Sequence, residues 1–121
     1  GIKEEDGERF VHIKPAAFKT VKKENAIGFI YEQMLNRTAG DTVLEAVILT
    51  IEPGSKRSKV VTDAYELKYV LEGTIEYELD DETIILEKGD CLYYDGRIPH
   101  VPHNRTNETA RMLVIYLFNN K

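Results

Sequence analysis

From Phe10 to Phe118 the chain is a succession of short apolar segments cut by glycine, proline and acidic turn residues, with no long amphipathic helix between the cuts. This spacing constrains the fold more than any other feature. Short strands alternating with turn signals build a β-sandwich or barrel, whereas helical elements need uninterrupted periodic runs of about ten residues or more. The cuts fall at Pro15, Glu52-Pro53-Gly54, Glu72-Gly73, Asp80-Asp81-Glu82 and Glu87-Lys88-Gly89-Asp90, then at 95–99 and 104–108. Between them, strands are expected over residues 9–14, 18–21, 27–35, 43–51, 65–71, 74–79, 83–86, 91–94, 100–104 and 110–118. Ile75, Tyr77 and Leu79 alternate with Thr74, Glu76 and Glu78, the pattern of a strand buried on one face. Residues 16–25 are also compatible with a single helical turn, and the polar residues 1–8 are expected to be poorly ordered.

At 121 residues the chain suits one domain, and no apolar run approaches the roughly 18 residues of a membrane span. The net charge of −5 is uneven: residues 1–40 carry 7 basic and 6 acidic side chains, residues 41–121 carry 9 and 15. Nucleic-acid-binding domains present a basic face, so no nucleic acid is expected to bind through this domain. No signal peptide is visible, and the single Cys91 suits a reducing, cytoplasmic setting. The chain opens on Gly1 rather than Met, which points to a cleaved tag or to a fragment of a longer protein.

Two spaced signatures carry the functional information. The first runs Gly54, five residues, Val60-Val61-Thr62, then Glu66, then Gly73; the second runs Gly89-Asp90, His100, Asn104. This skeleton resembles the two-part motif of the cupin superfamily. That motif reads Gly, five residues, His-x-His, three or four residues, Glu, six residues, Gly, and later Gly, five residues, Pro-x-Gly, two residues, His, three residues, Asn. Glu66, Gly73, Gly89, His100 and Asn104 match, while Val60 and Thr62 replace the first two histidines and Asp95-Gly96-Arg97 replaces Pro-x-Gly. The stretch from Leu92 to His100, together with residues 31–35 and 45–54, is most similar to cupin domains appended to helix-turn-helix regulators of the xenobiotic-response-element type. The resemblance implies an all-β double-stranded β-helix, a jelly-roll cupin barrel. It makes residues 1–121 a single domain, with a core over about residues 44–118 and N-terminal strands over about residues 9–43.

In metal-bearing cupins three histidines and a glutamate hold one divalent ion. Carried over, Glu66 and His100 stand at two ligand positions, Val60 and Thr62 at the other two. Two protein ligands are too few for a tight site, so no resident cofactor is expected. A divalent transition metal, if held, falls to Glu66, His100 and His103, although alternation turns His103 away from His100. Alternation also places Lys68 on the inward side with Glu66, where its charge would replace the missing ion. Tyr93 and Tyr94 are neighbours on a strand, so only one faces the interior, and Tyr93 is assigned to the pocket. The expected ligand-binding residues are therefore Thr62, Glu66, Lys68, Tyr93 and His100. Asn104 is expected to fix a turn.

These readings imply a small-molecule-binding domain, the ligand-sensing part of a transcription regulator with a degenerate metal site. DNA contact would belong to a separate N-terminal domain. The competing class is a small enzyme: an isomerase, epimerase or lyase using Glu66 and His100 as an acid–base pair, or a metal-dependent dioxygenase recruiting His103. Outward Leu67, Tyr69 and Leu71, with residues 10–13 and 27–35, expose enough apolar surface to imply a homodimer.

Overall fold

The structure, a computed structural model, describes residues 9–23 and 25–120. The expected disorder of residues 1–8 lies outside the described residues. Nine strands form among them: β1 (Lys19–Val21), β2 (Ala26–Ala39), β3 (Thr42–Arg57), β4 (Tyr65–Glu72), β5 (Ile75–Leu79), β6 (Glu82–Leu86), β7 (Cys91–Asp95), β8 (His100–His103) and β9 (Ala110–Asn119). A single 3-10 turn spans Pro15–Ala17. The strands pair into a six-stranded sheet of order β1-β2-β3-β9-β4-β7 and a three-stranded sheet of order β6-β5-β8. Every pairing is antiparallel, and the two sheets close over a common core as a jelly roll. No helix among the described residues is long and apolar enough to cross a membrane.

Alternation decides what lies inside. On β9 Ala110, Met112 and Val114 are fully buried, and on β5 Ile75 and Tyr77 are. Burying these side chains against Leu49, Ile51 and Val70 supplies the main driving force for closure. Asn104 ties the corner after β8: its Nδ2 donates to the carbonyls of Ile51 and Glu108, and its Oδ1 accepts from the Thr106 backbone N–H. It therefore fixes a turn, as its residue type implies.

Two local expectations fail. Residues 9–14 form no strand; they run along the surface without a ladder, and Phe10 is 80% exposed. Glu52-Pro53-Gly54 does not reverse the chain either, because β3 continues through it to Arg57. The register with β2 jumps from Phe29↔Ile51 to Ile27↔Lys56, so residues 52–55 form a bulged excursion that the positive φ of Gly54 (76°) accommodates. The Pro-Gly pair acts as a bulge because β2 is long enough to resume pairing beyond it.

Gly73, between β4 and β5, provides a test of the packing. It has φ of 78°, and a Cβ there would stand 2.9 Å from both Cα and Cβ of Ala110. Gly40 shares the left-handed backbone (φ 63°) but has open space around it. Gly40→Ala is expected to cost about 1 kcal/mol of unfolding free energy in urea, and Gly73→Ala roughly 1–3 kcal/mol more. Equal losses at the two sites would show that the β4–β9 approach is looser than described.

Candidate functional site

β4 delivers two charged side chains into the barrel because Glu66 and Lys68 share its inward parity with Val70. Glu66 is 1% exposed, Lys68 3% and His100, at the start of β8, 3%. Lys68 Nζ lies 2.9 Å from Glu66 Oε1. Tyr94 on β7 pairs directly with Glu66 across the ladder and donates its O–H to the same oxygen at 3.0 Å. With that proton committed, the Tyr77 hydroxyl, 2.6 Å from the Tyr94 hydroxyl, is the donor between the two rings. The ammonium also faces the rings of Tyr77, Tyr94 and Tyr116, with centroids at 5.6, 5.8 and 5.6 Å.

The other carboxylate oxygen is less well served. His100 Nε2 approaches Glu66 Oε2 at 3.2 Å, but no N–H or O–H among the described residues is directed at it, and it is fully buried. His100 Nδ1 sits 2.7 Å from the Ile98 carbonyl, which can only accept, so Nδ1 carries the proton. Behind the carboxylate, a Cβ on Gly96 would come within 2.8 Å of Oε2, so the chain closes that side.

Electrostatics follows from this packing. Burial alone would raise the Glu66 pKa, but the adjacent His100 and Lys68 outweigh it and hold the carboxyl at about 2 against an ordinary 4.5. Burial also works against the Lys68 ammonium, yet the surrounding tyrosines and Glu66 keep its pKa well above the usual lysine range. Burial pushes the Tyr94 hydroxyl far up, so it remains a proton donor. The pair is ionised at neutral pH, and neither member is poised to exchange a proton there.

A cavity of about 30 Å³ adjoins the cluster, lined by Glu66, Lys68, Tyr77, Tyr116 and His100, and by Tyr31, Arg57, Val60 and Val101. It has room for roughly two water-sized groups. Val60 faces His100 across an isolated bridge, their backbones exchanging hydrogen bonds of 3.0 and 2.9 Å. Thr62 does not line the cavity, contrary to expectation. The chain bends after the bridge, and Thr62 is held through its backbone N–H on the Gly96 carbonyl at 2.8 Å. Tyr93 is also corrected: it is 59% exposed and stacks on Tyr65, because the Glu66↔Tyr94 register puts Tyr94 on the inner face. His103 turns outward and bonds Glu78 on β5. Sequence reasoning missed Tyr31, Arg57, Tyr94 and Tyr116. The alternation of β5 flagged Tyr77 as inward, but the partners from other strands needed the register.

The residues present do not fit the divalent ion that the cupin motif implies. Val60 offers no ligand atom, Thr62 does not line the cavity, His103 is directed away, and the Lys68 ammonium already occupies Glu66 Oε1. Among the described residues no group of three or more histidine, cysteine, aspartate or glutamate side chains is arranged to hold a metal.

Residues 47–116 match the family described as the cupin domain. The structure is similar to the polyketide cyclase RemF from Streptomyces resistomycificus, with a TM-score of 0.72, 19% identity, and coverage of 91% of this chain and 84% of that one. It is similar to the cupin domain of an XRE family transcriptional regulator from Enterobacter cloacae, with a TM-score of 0.57, 17% identity, and coverage of 64% and 83%. It also resembles the Cnp3 cupin domain of Schizosaccharomyces pombe, with a TM-score of 0.72, 12% identity, and coverage of 92% and 76%. None of the curated proteins matches the chain in sequence.

The ion pair gives a double-mutant test. Lys68→Met leaves a buried carboxylate unpaired and is expected to cost about 3–5 kcal/mol at pH 7. Adding Glu66→Gln, which still accepts from Tyr94, should recover most of that loss. Because the folded Glu66 carboxyl sits at about 2 rather than 4.5, its contribution is complete above about 4.5 and lost as pH falls from there through about 2. The double variant should therefore show a shallower acid-side decline in urea-unfolding free energy. Additive costs in the double variant would show that the two side chains are not coupled.

Proposed function

The chain belongs to the cupin domain family, and from that premise we propose that it is a non-catalytic, small-molecule-binding domain, the sensing part of a transcription regulator. The observation that carries this reading is the commitment of Glu66 to Lys68. A general base needs a pKa near the operating pH, and a carboxyl held at about 2 is a weak base at neutrality. The buried cluster instead provides fixed polarity beside a cavity of about 30 Å³. Similarity to a regulator's cupin domain supports the sensing role. The enzyme reading, with Glu66 and His100 as an acid–base pair, draws on the similarity to a polyketide cyclase, but the ion pair weighs against it. The binding residues in this reading are Glu66, Lys68 and His100, joined by Tyr31, Arg57 and Tyr116.

A metabolite panel read by thermal shift and by product analysis separates the two classes. Saturable stabilisation without turnover is expected, and elemental analysis should find far less than one transition metal per chain. Stoichiometric iron, nickel or zinc, lost in His100→Ala, or conversion of any stabilising compound, would replace this reading with the enzymatic one.

The domain is also proposed to be a homodimer. Cross-strand rows on the outer face of the large sheet are apolar: Leu44, Leu117 and Tyr65; Ala46, Ile115, Leu67 and Tyr93; Ile48, Leu113 and Tyr69. Tyr65, Tyr69 and Tyr93 are 45%, 40% and 59% exposed, so this face is left for a partner. Sedimentation at micromolar concentration should give the mass of two chains, and Leu67→Glu should give one. A monomeric wild type would refute the pairing.

A further inference from the structure

The charges lining the inner cavity do not balance. Glu66, Lys68 and Arg57 line it, and Glu66 and Lys68 cancel each other across 2.9 Å. That leaves the Arg57 guanidinium uncompensated, and a protonated His100 would only add to the excess. Arg57 is half-buried at the end of β3, 5.9 Å from the ring centroids of Phe29 and Tyr31, and donates from Nη1 to the Tyr31 hydroxyl. No carboxylate pairs with it among the described residues. In contrast, Arg97 meets Asp63 and Asp95, Arg105 meets Glu76, and Arg111 meets Glu72. A guanidinium held against two rings has lost part of its water and gained no anion in return.

The hydroxyls around the same cavity share that deficit. The Tyr31 oxygen accepts from Arg57, so its own proton still needs an acceptor, and none stands among the described residues. The Tyr116 hydroxyl has no hydrogen-bond partner among them either. Burial raises the pKa of both phenols, so both keep their protons. Glu66 does not serve them: Lys68 and Tyr94 take its Oε1, and its Oε2 is buried away beside His100 and Gly96. The cavity therefore gathers a spare cation and two spare O–H groups around a space with no anion. Its volume decides the size of the occupant. About 30 Å³ admits roughly two water-sized groups, enough for one halide ion with a water molecule and too little for a polyatomic acid.

We propose that the cavity is a halide site, holding one chloride ion on the Arg57 guanidinium and the Tyr31 and Tyr116 hydroxyls, with the mutually neutralised Lys68–Glu66 pair alongside. This rests on the small-molecule-binding reading and adds the ligand class to it. Lys68, the cation that strand parity pointed to, is consumed by Glu66. Arg57 replaces it as the anion receptor. The site selects by size as well as charge, because a sulfate ion carries twice the charge but does not fit the volume.

Chloride NMR line-broadening tests the assignment on protein dialysed into sodium gluconate, whose anion is too large to enter. Titration with sodium chloride at constant ionic strength should saturate at one ion per chain. Bromide should displace that ion, and sulfate should compete more weakly than bromide by about tenfold or more. Arg57→Met should weaken chloride binding by about tenfold or more, and Tyr31→Phe, which removes a single donor, by roughly three- to tenfold. Arg57→Lys, which keeps the charge, should retain part of the binding, and the exposed Arg97→Gln should change nothing. Circular dichroism confirms folding of each variant. Sulfate competing as well as bromide overturns the enclosed site, and so does chloride binding left undiminished by Arg57→Met or by Tyr31→Phe. If chloride is not bound while a metabolite stabilises the protein, the halide class falls and the binding reading survives. If neither chloride nor any compound in a broad panel binds, both fall.

Discussion

Lys68 and Glu66 stand two residues apart on β4, so strand alternation sends both into the barrel or neither. A carboxylate buried alone would be costly, and so would an ammonium. Together, at 2.9 Å, with Tyr94 donating to the same oxygen and three aromatic rings around the nitrogen, each makes the other tolerable. The pair dictates the interior around it. Tyr77 and Tyr94 are aligned by the hydroxyl chain that ends on Glu66, and His100 is left beside the one oxygen that no donor serves.

Lys68 supplies a positive charge beside Glu66 in an interior where Val60 offers no ligand atom. A cupin interior built for a dication has an anionic first shell, and without the ion that shell must be neutralised by protonation or by an internal cation. Here an internal cation does it, which keeps Glu66 ionised and fixed. Rigid internal charge suits recognition, since preorganised groups pay little on binding. It suits proton transfer less well.

The fold was legible because turn chemistry and alternation are local properties. Gly73, Gly89 and the Asp80-Asp81 turn fall between strands, and Ile75, Tyr77 and Leu79 all turn inward or are half-buried. The resemblance placed Glu66 and His100, and parity then placed Lys68. What local rules do not encode is register. Choosing between Tyr93 and Tyr94 required knowing which residue of β7 stands opposite Glu66. Thr62 shares the parity of Val60 in sequence, but the bend that follows the Val60–His100 bridge removes it from the wall. Arg57 was illegible for a related reason: a Pro-Gly pair reads as a reversal, and only a long partner strand turns it into a bulge.

That bulge has a further consequence. Residues 52–55 are the slack between two stretches of β3 that pair with β2, and the amount of slack sets which side chain after Ser55 points into the barrel. With one residue more or fewer there, the side of the strand would exchange: Lys56 or Ser58 would take the inner side and Arg57 would face solvent. Which side chain of this segment lines the cavity is therefore written partly in segment length. An insertion or deletion there would change that lining while leaving every side chain of the buried ion-pair cluster unchanged.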